Sequence, residues 1–310
     1  MIQSRATHKS GQAKLLRRRL RNSGTLLSIV MSIACGDHGG ISGPPPPPNE
    51  GAGYPGFDTS IYPGDAAMSA WLKPSSPYGW VGYYLAAPCH RDPSWMGKRA
   101  TLTGMGWGLA VLYVGQQTFE GLPFRDVPSG VSNLVRPSAR AGIMAAPTVE
   151  EIEAGAVTCS RTLLTTEQGT SDAIDAVTKT ASEGFPGGTV IYLDIEPMQI
   201  IPPSMHAYYR AWVQQVLADG RFRPGIYVSK SNAQEIYDGV ARAYSDMHAT
   251  GSAVFWVSST SGFSLDKLPT DVGLPFARVW QGMLDVSQSW NGVTIYIDVD
   301  VAAMASPSSP

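Results

Sequence analysis

The residues with the sharpest chemical content form one short run, Thr189-Val190-Ile191-Tyr192-Leu193-Asp194-Ile195-Glu196-Pro197. In an extended strand alternate side chains share a face, so Val190, Tyr192, Asp194 and Glu196 point one way and Ile191, Leu193 and Ile195 the other. The aliphatic set suits packing against helices. That leaves two carboxyl groups projecting inward at the strand's C-terminal end. Carboxylates this close repel each other, so one tends to keep its proton near neutral pH while the other ionises. A paired acid and base requires that division. A solvated edge strand could carry the same acids, but not with an unbroken aliphatic alternate face.

Further acids occupy equivalent positions. Asp58 ends an early run, Pro55-Gly56-Phe57-Asp58, and Asp298 ends the last, Thr294-Ile295-Tyr296-Ile297-Asp298. If first and last strands close a barrel, Asp58 and Asp298 become neighbours across the seam. Taken singly, either could be a turn or capping residue. Asp300 shares the parity of Asp298 and is its substitute candidate. Four carboxylates around one mouth exceed what a purely structural core tolerates. The same parity places Tyr113, Tyr192, Tyr227, Trp256 and Tyr296 inward, where rings with polar edges would suit sugars; filling of the barrel is the plainer alternative.

Other chemistries find little support. His8 and His38 precede the body, and His90, His206 and His248 show no ligand spacing, so no metal is expected. No G-x-S-x-G elbow occurs. Gly104-Met105-Gly106-Trp107-Gly108 runs into a strand rather than opening a helix, which excludes a phosphate loop.

The elements that must position these acids alternate. Strands are predicted at Gly56–Thr59, Trp80–Ala86, Gly108–Gly115, Thr189–Glu196, Pro224–Ser229, Ala253–Ser258, Ala277–Gln281 and Thr294–Asp298. Helices are predicted at Asp65–Leu72, Ser94–Gly104, Ser171–Gly184, Ser204–Ala218 and Ser231–Tyr244, with the clearest capped starts at Ser171 and Ser204. The expectation is an α/β fold, a TIM-like (β/α) barrel with about five helices and a hairpin-like last three strands. Trp290-Asn291-Gly292 is the turn signal of that hairpin. The polar stretch Gln116–Thr170 is too long for a simple connection and is expected to form an elaborated loop over one mouth.

The front end reads as an address. Residues 1–34 combine a basic stretch ending in Arg17-Arg18-Arg19-Leu20-Arg21 with an apolar run from Thr25 to Ala34. That run covers about ten residues, too short for a bilayer core that needs roughly 20, and fits a secretory signal. Ser32-Ile33-Ala34-Cys35 resembles a lipobox, which would make Cys35 a lipidated N-terminus and the membrane a partner only through that anchor. Residues 35–55, with Pro44–Pro48 in succession, are expected to form a stiff tether; 56–304 is the barrel and 305–310 a tail. With Cys35 lipidated, Cys89 and Cys159 remain, either bridged in an oxidising compartment or as two buried thiols. A bridge over about 70 residues would add on the order of 4 kcal/mol. Seven of the 23 basic residues precede position 35, which leaves 16 against 25 acidic residues. An acidic body argues against nucleic acid as a partner.

Several motifs converge on one family. Gly56-Phe57-Asp58-Thr59, Gly184-Phe185-Pro186-Gly187-Gly188-Thr189, Tyr192-Leu193-Asp194-Ile195-Glu196-Pro197, Gly225-Ile226-Tyr227 and Trp280-Gln281 resemble the glycoside-hydrolase-like barrel domain of unknown function found in secreted bacterial proteins. That domain is similar in turn to the lysozyme-type muramidases of glycoside hydrolase family 25. The resemblance covers Gly56 to Ala303. It implies Glu196 as general acid and Asp194 as stabiliser of the reacting centre or orienter of a substrate amide. Asp58 and Asp298 would complete the acidic cleft, and Gln281 would join the inward aromatics in binding substrate. Muramidases usually end on Val-Asp-x-Asn, whereas this chain reads Ile297-Asp298-Val299-Asp300. The implied partner is peptidoglycan or another polysaccharide, and no cofactor is implied. A non-catalytic glycan-binding module and a structural envelope protein are the competing functions.

Overall fold

The computed structural model describes residues 52–72, 74–118 and 159–310. The expected signal, Cys35, most of the expected tether and the bulk of the expected loop lie outside the described residues. Eight strands close a barrel in sequence order: β1 Tyr54–Asp58, β2 Trp80–Tyr84, β3 Gly108–Val114, β4 Val190–Ile195, β5 Arg223–Ser229, β6 Val254–Ser258, β7 Ala277–Trp290 and β8 Val293–Ala302. β1 to β7 run parallel to their neighbours, and β8 is antiparallel to both β7 and β1. Among the described residues five α-helices wrap the wall: α1 Asp65–Trp71, α2 Arg99–Met105, α3 Thr166–Ser182, α4 Pro203–Asp219 and α5 Lys230–Asp246. Among the described residues no α-helix follows β6 or β7, only the short 3-10 turn Pro269–Val272 before β7, and the architecture is the expected barrel with a hairpin at its end.

Several boundaries differ from the sequence reading for local reasons. β1 starts at Tyr54, inside the stretch assigned to the tether, because its backbone pairs with β8 from Tyr54↔Ala302 onward. α3 starts at Thr166 rather than Ser171, since Thr165 Oγ1 accepts from the amide of Gln168 at 3.1 Å. Thus the last residues of the expected loop are helical. α4 begins on Pro203, whose fixed φ suits a first turn and whose missing amide costs nothing there. α2 begins at Arg99, five residues later than Ser94, whose hydroxyl instead accepts from the amide of Tyr62 at 2.9 Å.

The β7–β8 hairpin is longer than expected. From Val286↔Ile297 outward its strands pair only with each other, after two register shifts around Met283. Asn291 and Gly292 both have positive φ, 50° and 79°, as a two-residue turn of the mirror-image type requires. Its far end docks on α1: Trp71 Nε1 donates to Val293 O at 3.0 Å and Asn291 Nδ2 to Ala70 O at 2.8 Å.

Residues 305–310 are no free tail. The β3–β4 pairing begins only at Val111↔Ile191, so the lower ends of these strands need other partners. Leu109 N donates to Ser306 Oγ at 3.1 Å and Val111 N to Ser308 Oγ at 2.7 Å, while Val190 N donates to Ser308 O at 2.9 Å. Tyr192 OH reaches down to Pro307 O at 3.1 Å. The segment therefore seals the floor between two strands. At the opposite end Cys89 and Cys159 are joined by a disulfide that links the connection after β2 to the approach of α3.

Candidate active site

Register decides which side chains enter the barrel. Asp58 pairs with Asp298 across the β1–β8 seam, and Asp194 stands level with Val114 on one side and Tyr227 on the other. Asp58, Tyr84, Asp194, Tyr227, Gln281 and Asp298 thus share the upper end of the interior. Space for them comes from small residues below. A Cβ on Gly82 would lie 2.6 Å from the Asp58 Cβ, and one on Gly225 would lie 2.7 Å from the Tyr192 ring.

Asp58 is the hub. It is 4% exposed, and its Oδ1 accepts from Tyr84 OH at 2.6 Å while Oδ2 accepts from Gln281 Nε2 at 2.8 Å. Gln281 Oε1 in turn accepts from Tyr227 OH at 2.7 Å. Four strands therefore hold one carboxyl. Burial pushes the Asp58 pKa up, and the bonds from Tyr84 and Gln281 pull against that without cancelling it. Burial and the neighbouring carboxylates keep both tyrosines protonated, so they remain donors.

Asp194 is 7% exposed, and its Oδ1 has no hydrogen-bond partner among the described residues. Burial first, then the charges of Glu196 and Asp58, raise its pKa well above the ordinary carboxylate range. Glu196 follows the last residue of β4 and is half-buried. Its position is fixed by Gln117, whose Oε1 accepts from Glu196 N at 3.1 Å and whose Nε2 donates to Asp194 O at 2.9 Å. Sequence reasoning missed Gln117, since one amide in a polar loop carries no periodic signal. Past Pro197, Asn232 clamps Met198 through both backbone groups, each at 2.9 Å. Asp298 is half-buried and accepts from the amide of Asp285 at 2.6 Å, where Asp285 turns the bulged strand with φ of 53°.

The aromatic assignments need correction. Tyr113 does not face the interior: it points to the helix layer and donates to Asp175 on α3 at 2.9 Å. Tyr192 and Trp256 do point inward but are fully buried beneath the mouth, edge to face with one another, and fill the barrel rather than line a cleft. Gln281 is 2% exposed and serves Asp58. Tyr296 is 43% exposed because β8 has left the barrel wall there and pairs only with β7. Of the six residues expected to bind substrate, Tyr227 alone is both at the mouth and half-buried.

A closed α/β barrel with buried carboxyls gathered at the C-terminal ends of its strands is consistent with the glycoside-hydrolase-like class. The chain belongs to the Rv2525c-like, glycoside hydrolase-like domain family, whose model matches residues 69–302. Asp58 precedes the matched stretch. Similar solved structures include an uncharacterised protein of B. stearothermophilus, 16% identical with a TM-score of 0.49, covering 81% of this chain and 96% of that one. The Tat-secreted protein Rv2525c of Mycobacterium tuberculosis is 15% identical with a TM-score of 0.45, covering 81% and 95%. The spore cortex lytic enzyme SleM of Clostridium perfringens is 11% identical with a TM-score of 0.47, covering 81% of this chain and 67% of that one. No curated protein matches the chain.

Proposed function

We propose that the protein is an exported, lipid-tethered glycosidase acting on peptidoglycan or another extracellular polysaccharide. Glu196 protonates the glycosidic oxygen. Asp194 stabilises the reacting centre or accepts from a substrate amide, for which its unpartnered Oδ1 supplies an acceptor. Asp58 and Asp298 complete the acidic wall. The observation carrying this reading is the gathering of Asp194, Glu196 and Asp58 at one barrel mouth, with the half-buried Glu196 the acid open to a substrate and the buried Asp194 two residues below it on the strand.

Reducing-end release from purified peptidoglycan tests it. Glu196→Gln is expected to cut release by about 10²–10⁴-fold, the usual contribution of a general acid. Equal release from both proteins excludes the role. Sugar binding without release by the wild type assigns the mouth to a non-catalytic glycan-binding module instead. For the tether, residues 1–34 act as the signal and Cys35 as the lipidated residue. Cys35→Ala is then expected to move the protein from the membrane fraction to the medium, and unchanged fractionation rejects the anchor.

A further inference from the structure

β8 carries two inward acids, and they sit at different depths. Asp298 lies opposite Asp58, whereas Asp300 lies opposite Gly56, one layer lower, with 0% exposure. Gly56 presents no side chain there, and the Trp80 ring occupies part of the space it leaves. Asp300 Oδ1 accepts from Trp256 Nε1 at 3.0 Å. Its Oδ2 is buried and receives no hydrogen bond from an N–H or O–H of the described residues. The Asp58 carboxyl lies within hydrogen-bonding reach of the Asp300 carboxyl.

Two carboxyl groups can hydrogen-bond only if one carries a proton. Asp58 already accepts from Tyr84 and Gln281, and each bond favours its ionised form. Asp300 accepts one such bond and has no exposed surface. The count of donors therefore decides the owner of the proton.

We infer that Asp300 is a positioning residue whose Oδ2–H donates to Asp58, fixing Asp58 as the ionised member of the pair at the mouth. The groups facing it are Asp58 on β1, Asp298 on β8 and Trp256 on β6. Burial, then the two acids, oppose charge on Asp300 and raise its pKa well above the ordinary carboxylate value. No proton moves in this step; it stays on Oδ2 while Asp58 offers its charge upward. The consequence for turnover rests on the glycosidase reading, but the location of the proton does not.

The test is carboxyl carbon NMR of the full chain labelled at aspartate, titrated from roughly pH 5 to 8, across which an ordinary aspartate stays ionised. Wild type is expected to show a protonated aspartate resonance that Asp300→Asn removes, separate from that of Asp194. The inference is overturned if every protonated resonance survives in Asp300→Asn, or if none exists in the wild type. Reducing-end release supplies the second arm. Asp300→Asn, whose amide can donate the same bond, is expected to keep most of the rate, and Asp300→Leu to lose about tenfold in kcat with little change in KM. Equal loss or equal retention in the two variants contradicts a positioning role. Should Asp300→Leu fail to fold, the resonance assignment in wild type and Asp300→Asn still decides. Absence of release from wild type would reject the glycosidase reading alone.

Discussion

The two ends of the barrel are built from the same strands and the same inward parity, yet they hold opposite chemistry. At the floor Trp80, Tyr192 and Trp256 fill the interior edge to face, and residues 305–310 plug the gap between β3 and β4. One layer nearer the mouth, the inward positions turn to Asp58, Asp194 and Asp298. Burying acids disfavours folding, as their raised pKa values record. The apolar floor offsets that cost. The lesson is that stability and chemistry are separated by depth along the strands, so substitutions at the two ends should fail in opposite ways.

The largest effect is expected at the floor. Trp80→Ala removes a fully buried ring together with its bond to Tyr54 O, and denaturant unfolding should show a loss of about 3–5 kcal/mol. A loss below about 1 kcal/mol would show that the floor does not carry the fold.

Asp194→Asn should do the reverse at the mouth, raising stability while abolishing release. Burial raises the folded pKa above its unfolded value of 3.8, so the native state binds the extra proton as pH rises through that value and stability falls over that window. The gain from the amide is therefore expected above about pH 4 and absent below it. Unfolding of both proteins across this range checks the sign; a variant less stable at neutral pH would mean that Asp194 is satisfied by groups other than those described.

His90 sharpens the contrast, since it sits beside Tyr84 with a buried, unpartnered Nε2. Burial pushes its pKa down to about 4 from 6.5. A depressed histidine contributes stability that is complete above the unfolded value and is lost as pH falls through the folded one. Unfolding between those two pH values should show stability rising with pH in wild type and a flatter profile in His90→Leu. The smallest effect is expected at Tyr296, out on the hairpin. Tyr296→Ser should change stability by less than about 0.5 kcal/mol and leave release intact; a drop in release would extend the site onto β7 and β8.

How much of this was legible depends on how strongly each segment marks its faces. β4 was readable because an aliphatic face alternates with Tyr192, Asp194 and Glu196, and the pairing of Asp58 with Asp298 follows once β1 and β8 close the barrel. β3 reads Leu109-Ala110-Val111-Leu112-Tyr113-Val114, apolar on both faces, so nothing in the run told which way Tyr113 points. Parity also misled at Tyr296, where it holds only while β8 lies between two strands. The plug at 305–310 has no period at all; serine hydroxyls and backbone groups join it to β3 and β4, and such bonds leave no pattern in composition.

The central claim is that the mouth of the barrel receives the sugar. A crystal structure with a bound peptidoglycan oligosaccharide tests it most directly. The expected result is a glycosidic oxygen within about 2.6–3.2 Å of the Glu196 carboxyl, with Asp194 and Asp58 on the same side of the ring. An oligosaccharide seated on the helix layer or along the outer hairpin, with the acids untouched, would contradict it.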